Sequence, residues 1–256
     1  MRIFFAGASG VLGRHLIPLL LAEGHTVAGM TRTADHARQI EAAGASPVLC
    51  DVYDRGALHV EVKSFRPDLV LHELTDLPDD PSEIRARAAA NNRIRTEGTT
   101  NLLDAMRASG ATRFIAQSIA WAYEAGTPPY SEASPLNRKA VGNSAITVRG
   151  VLALEETVLT AFPRQAVILR YGSLYGPETA NAMPNGPSRV HVDAAALAAS
   201  LAVEAGSGIY NIADPNGEVS VVRAERDLRW EPNFRQAEGR GERLAGASPI
   251  SVAERG

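Results

Sequence analysis

Short apolar runs alternate with longer segments whose apolar residues recur at helical spacing over the first two thirds of the chain. Ile3 to Ala6 is such a run, and Val11 to Ala22 carries the helical period up to a stop at Glu23-Gly24. The same alternation predicts strands over His25 to Met30, Ser46 to Cys50, Leu69 to His72, Arg113 to Gln117 and Ala166 to Arg170. Between them it predicts helices over Asp35 to Ala43, Asp54 to Phe65, Pro81 to Ser109 and Ser144 to Phe162. Gly126 to Gly142 is rich in Pro, Gly, Ser and Asn and reads as a loop. Strands and helices at this spacing imply right-handed βαβ units, a parallel sheet and the α/β class.

After Tyr171 the pattern changes to a Gly- and Pro-rich segment over 172–187. A helix (Asp193 to Ala205), a strand (Gly208 to Ile212) and a helix (Ser220 to Leu228) are expected beyond it. The last residues, 236–256, are polar, Gly-rich and aperiodic, and are expected to form a loosely ordered tail.

Between the first strand and the first helix lies Gly7-x-x-Gly10-x-x-Gly13. Glycines there allow a tight turn and a close backbone approach, and the helix N-terminus offers free N–H groups and a positive dipole end. That is a site for a dinucleotide's pyrophosphate, with Gly7, Ser9, Gly10, Val11, Leu12 and Gly13 as its wall. The fold expected is then a Rossmann-type doubly wound parallel sheet with a small C-terminal substrate lobe. Residues 1–170 form the dinucleotide-binding domain in this reading, and 171–235 the lobe interleaved with it.

At the end of the second strand, where an acid would accept from a ribose hydroxyl, the chain has Met30-Thr31-Arg32-Thr33. Arg32 can pair with a 2′-phosphate, which favours NADP over NAD. Asp51 can accept from the adenine amino group or cap the next helix. Val52, Leu74 and Tyr171, at successive strand ends, complete the expected cofactor contacts.

Composition narrows the setting. The 256 residues are 45% hydrophobic and 21% charged with a formal charge of -3, which argues against nucleic-acid or anionic-membrane partners. One cysteine, Cys50, excludes an internal disulfide, and no apolar run suits a membrane span. A cytoplasmic enzyme with a small-molecule substrate is the expectation.

Several segments occur together in order: the glycine loop, Asp51-Val52-Tyr53-Asp54, Gly98-Thr99-Thr100-Asn101-Leu102-Leu103, Leu174-Tyr175-Gly176-Pro177 and His191-Val192-Asp193. Over residues 1–230 this set resembles the extended short-chain dehydrogenases, the NAD-dependent epimerase/dehydratase group. The resemblance implies a nicotinamide cofactor on the sheet's C-terminal edge and a homodimer through the helices at 81–109 and 144–162. It also implies a Ser or Thr, and a Tyr and Lys four residues apart on one helix, as the proton-transfer set. With Glu155 as the acid that follows the lysine, Val151 falls on the lysine's place and Thr147 on the tyrosine's. The only lysines, Lys63 and Lys139, are preceded four residues earlier by His59 and Pro135, so the chain has no Tyr-x-x-x-Lys at all.

The serine's place falls on Ser118 or, counting back from Tyr123, on Ile119. Strand ends converging on the nicotinamide also offer His72, Glu73 and Tyr171. Ser118, Tyr123 and Glu73 are the candidate catalytic groups, Glu73 because a half-buried carboxyl with a raised pKa can act as acid or base. His72 reads as a satisfied strand-end residue, and His15 and His25 as surface positions. No His/Cys/Asp cluster has metal spacing. An NAD(P)-dependent oxidoreductase or epimerase-like enzyme with a non-standard acid/base set is expected. A non-redox cyclase, dehydratase or isomerase on the same scaffold, or a non-catalytic NADP-binding protein, are the alternatives.

Overall fold

A computed structural model describes residues 1–77 and 86–236. Strands β1 (Arg2–Ala6), β2 (Thr26–Thr31), β3 (Ser46–Leu49), β4 (Leu69–His72), β5 (Arg113–Ile119) and β6 (Ala166–Tyr171) alternate with helices. These are α1 (Val11–Ala22), α2 (Ala34–Ala42), α3 (Arg55–Phe65), α4 (Ala88–Arg93), α5 (Thr99–Ser109) and α6 (Gly142–Ala161). Beyond them come β7 (Ser173–Tyr175), β8 (Arg189–His191), α7 (Val192–Leu201), β9 (Gly208–Ile212) and α8 (Val222–Leu228).

The main sheet is seven-stranded and parallel, in the order β3-β2-β1-β4-β5-β6-β9. The chain order reverses between β1 and β4, where a doubly wound sheet opens a crevice at its carboxyl edge. Alternate residues feed two apolar layers. Ile3, Phe5, Leu71, Ile115 and Leu169 pack with α1 and α7. Phe4, Val70, Phe114, Ala116 and Ile168 pack with α3, α5 and α6. Burial on both faces explains why these strands read as unbroken apolar runs.

Several features differ from the pattern-based reading. The long helical stretch is split: α4 passes into a π-helical turn, Ile94–Gly98, and then into α5. Its first residues, 81–85, lie outside the described residues, as does the expected tail after Gln236. The Gly- and Pro-rich segment after Tyr171 contributes β7, which pairs with β8, and the later β9 completes the main sheet beside β6. His25 is buried, not a surface residue, with Nδ1 3.1 Å from the N-terminal amine. His15 likewise sits 2.7 Å from Asp193 through Nδ1.

Candidate functional site

The glycine loop closes as the spacing requires. Gly7 has φ 102°, and a Cβ there would lie 2.6–2.9 Å from backbone atoms of Glu73 and Leu74. A Cβ on Gly13 would lie 2.6 Å from the Ala8 carbonyl carbon, so α1 can approach the loop only without a side chain. The Gly10 N–H donates to the Gly7 carbonyl at 3.0 Å, which holds the turn. Gly10 is the N-cap of α1, no side chain caps that end, and no acid stands in the first turn. A helix N-terminus left without an internal acceptor suits a phosphate.

Around this loop stand the other expected cofactor residues. The Ser9 and Thr31 hydroxyls are 3.3 Å apart. The Arg32 side chain is 59% exposed and only loosely paired, 3.9 Å from Asp76. Asp51 accepts from the Tyr53 N–H at 2.9 Å, while Asp54 accepts from Ala57 N–H and caps α3. The helix-capping role open to Asp51 thus belongs to Asp54. Val52 is buried against Gly98, and its carbonyl accepts from Asn101 Nδ2 at 3.0 Å. The Leu74 carbonyl accepts from Gln117 Nε2 at 2.9 Å. That bond ties the ends of β4 and β5 together.

Glu73 leaves β4 directly under the loop and is 6% exposed. Its Oε1 accepts from the Tyr171 hydroxyl at 3.3 Å, and Oε2 is buried with no partner among the described residues. Burial pushes the carboxyl up from 4.5 to about 8, with the Tyr171 hydrogen bond opposing. Glu73 is therefore neutral at pH 7, and burial also raises the Tyr171 hydroxyl. The folded chain holds a proton that the unfolded chain releases between those two values. This contribution is fully present near pH 4, declines as pH rises toward 8 and levels off above it. Glu73→Gln removes this decline, so the variant gains on wild type by a few kcal/mol by pH 9, at about 1.4 kcal/mol per pH unit. Melting temperatures from pH 5 to 9 check it, and parallel curves would contradict it.

His72 is fully buried, bonded to the Thr99 hydroxyl at 3.0 Å, and burial with the nearby Arg95 charge pulls it down to about 3. It is a neutral structural residue, as its strand-end position suggested.

Ser118 and Tyr123 are drawn into a closed polar network. Ser118 Oγ donates to Glu155 Oε1 at 2.6 Å, and Arg170 donates to both oxygens of Glu155 at 2.8 and 2.6 Å. Arg170 also donates to the Tyr123 hydroxyl at 3.0 Å, which donates to Asn211 Oδ1 at 2.5 Å. The Tyr123 ring stacks on Tyr130 with centroids 5.2 Å apart. Burial pushes the Tyr123 phenol up despite Arg170. The network joins β5, β6, β9 and α6. The sequence singled out Ser118, Tyr123 and Glu155, but Arg170 and Asn211 gave no motif and enter only through strand pairing.

Ile119 points away from Ser118 and packs with Ala122, Leu136, Val148 and Val151. Val151 is completely buried there. Of the two lysines, Lys139 bonds Glu124 at the surface, and Lys63 is exposed on α3. The positions that the resemblance gives to the lysine and, by one count, to the serine thus lie together in a small apolar cluster between β5 and α6. Of the three candidate catalytic groups, the structure sets Glu73 with Tyr171 beneath the loop. Ser118 and Tyr123 stand together on the opposite face of β5.

Residues 3–213 match the model of the NAD-dependent epimerase/dehydratase family. The chain belongs to that family. It is accordingly an enzyme of the oxidoreductase- or epimerase-like kind. A Streptomyces protein, 3-diazoavenalumate denitrifying reductase, is 39% identical over 239 residues, covering 84% of this chain and 76% of its own length. The solved UDP-glucose 4-epimerase of Thermotoga maritima, with UDP-glucose, has a TM-score of 0.73 at 17% identity, covering 92% of this chain and 94% of that one. The Thermus thermophilus UDP-glucose 4-epimerase, solved with NAD, gives 0.73 at 20% identity, covering 92% and 95%. At such identity the two epimerases share the fold. No described helix is long and apolar enough to cross a membrane, and no described cluster could hold a metal.

Proposed function

We propose that this enzyme is an NADPH-dependent reductase that replaces a diazo group on a small organic molecule with hydrogen. The observation that carries the reading is the pairing of a complete dinucleotide cradle with an apolar wall of Ile119, Val148 and Val151 in place of a proton-transfer set. The cradle fits the cofactor: Gly7 and Gly13 leave room no side chain could share, and the α1 N-terminus has no internal cap. Bound there, NADPH supplies a hydride.

Reduction of a carbonyl leaves an alkoxide that must be protonated, the task of an activated tyrosine. Reductive loss of a diazonium group makes no alkoxide. A C–H bond forms with the hydride's electron pair, and the C–N bond breaks with its pair leaving on dinitrogen. The charge carried by the diazonium group ends on the oxidised nicotinamide. An apolar wall suits this chemistry because it excludes water from the reacting centre. The 39% identical relative, named for a denitrifying reduction of a diazo compound, supports the same class. A substrate in the neutral diazo form, which is the conjugate base of the diazonium cation, needs one proton besides the hydride, and the protonated Glu73 beside Tyr171 is its source.

The 2′-phosphate is assigned to Arg32 and the Ser9–Thr31 hydroxyl pair. Arg32→Asp should weaken NADPH binding about tenfold and improve NADH, because a carboxylate repels the phosphate and accepts from a free ribose hydroxyl. Fluorescence titration of both cofactors checks this, and an unchanged ratio would contradict it. Two copies are expected to pair through the helices over 81–109 and 144–162, and light scattering tests whether the protein is a dimer. The function itself is tested with NADPH and an aryl diazonium salt. Loss of NADPH absorbance should match dinitrogen release one to one. Turnover of carbonyl compounds alone, or NADPH binding with no turnover of either class, would overturn it.

A further inference from the structure

Arg95 lies in the π-helical turn and is 9% exposed. Among the described residues its guanidinium makes no hydrogen bond and no ion pair. An arginine this deep is expected to be paired, because desolvating an ion costs several kcal/mol. The surroundings show why it is not. Glu155, whose field opposes the burial that draws Arg95 down to about 10, has both oxygens taken by Arg170 and Ser118. Glu97 is held by Arg93, and Asp76 by Arg87. Glu73, across β4, is neutral at pH 7. Among the described residues the site keeps one unbalanced positive charge.

That charge lies between the π turn and α6, next to the helix positions that carry Thr147 and Val151. The Arg95 Cδ is 3.4 Å from the position a Cβ on Gly150 would take, so Gly150 lets the side chain lie flat against α6. Gly150 precedes Val151 of the apolar wall. The guanidinium's field also reaches His72 at the carboxyl end of β4. The phosphate cradle is elsewhere, on β1 and α1. A π turn adds a residue to a helix and re-aims the side chains around it, and such turns gather at functional sites.

We propose that Arg95 anchors the substrate through an anionic oxygen, binding the carboxylate of a small organic acid whose apolar body lies along Ile119. This rests on the reading of the crevice as the site where substrate is reduced. It names the substrate's class: a hydrophobic carboxylate. Arg95 is a binding residue, and no proton passes through it.

Calorimetry tests the assignment with 4-hydroxycinnamate and its methyl ester, on protein loaded with NADP and on protein without it. Wild type should bind the acid at least about tenfold more tightly than the ester, the scale of one charge-assisted pair. Arg95→Met should bind the acid about tenfold more weakly, leave the ester unchanged and hold NADPH within about twofold of wild type. Its melting temperature should not fall, because it removes an unpaired buried charge. Arg95→Lys should keep most of the preference for the acid. Equal affinity of Arg95→Met and wild type for the acid, or no preference for acid over ester in wild type, would overturn the proposal. If NADPH fails to bind wild type while the acid and ester still separate, the cofactor reading falls and Arg95 stands.

Discussion

Replacing Glu155 with alanine should lower stability by about 3–5 kcal/mol, the range for stranding one member of a buried ion pair. Arg170 and Glu155 have side-chain exposures of only 4% and 7%, so water cannot take the missing partner's place. The loss is wider than one pair, because Ser118 loses its acceptor and the Tyr123–Asn211 contact loses the guanidinium that fixes it. Two to four degrees of melting temperature per kcal/mol puts the fall at roughly ten degrees. Glu155→Met with Arg170→Met should recover much of it, since two apolar side chains leave no charge unpaired. Thermal unfolding of the single and double variants measures both. A single variant within about a degree of wild type would show that the pair is solvated and the network open.

The second large effect falls on binding. Gly13→Ala places a methyl group against the Ala8 carbonyl carbon at 2.6 Å and the Gly7 carbonyl oxygen at 2.8 Å. Both are backbone, so α1 must tilt off the loop, and the N–H groups meant for the pyrophosphate move with it. NADPH affinity should drop at least about a hundredfold, or some 2.7 kcal/mol. Gly10→Ala provides the contrast. Its new Cβ meets only the Gly7 oxygen, at 3.3 Å, so the fold should survive and any loss of affinity reports contact with the cofactor itself. A Gly13→Ala variant that binds NADPH like wild type would remove the loop from the cofactor site.

Strands buried on both faces and glycines at a strand-to-helix turn announce themselves locally, which is why β1 to β6 and the cradle were readable from the residues. The absence of a Tyr-x-x-x-Lys pattern is likewise a property of the sequence itself, because a chain with two lysines either has it or does not. What could not be read depends on partners far apart in sequence. Ser118 looked free until β5 set it opposite Glu155 on α6. Asn211 and Arg170 meet only because β9 adds to the sheet beside β6. The π turn escaped because one extra residue in a helix barely disturbs a 3.6-residue period. Arg95 therefore read as one more arginine on a charged helix, although it is the deepest unpaired cation among the described residues.

A crystal structure of the protein with NADPH is the decisive measurement. The pyrophosphate should lie on the N–H groups of Val11 and Leu12 and the 2′-phosphate against Arg32. The nicotinamide should lie at the ends of β4 to β6, on the side of Ile119 and Val151, with Arg95 beyond. A nicotinamide position filled by side chains, or a cofactor bound away from the glycine loop, would contradict it.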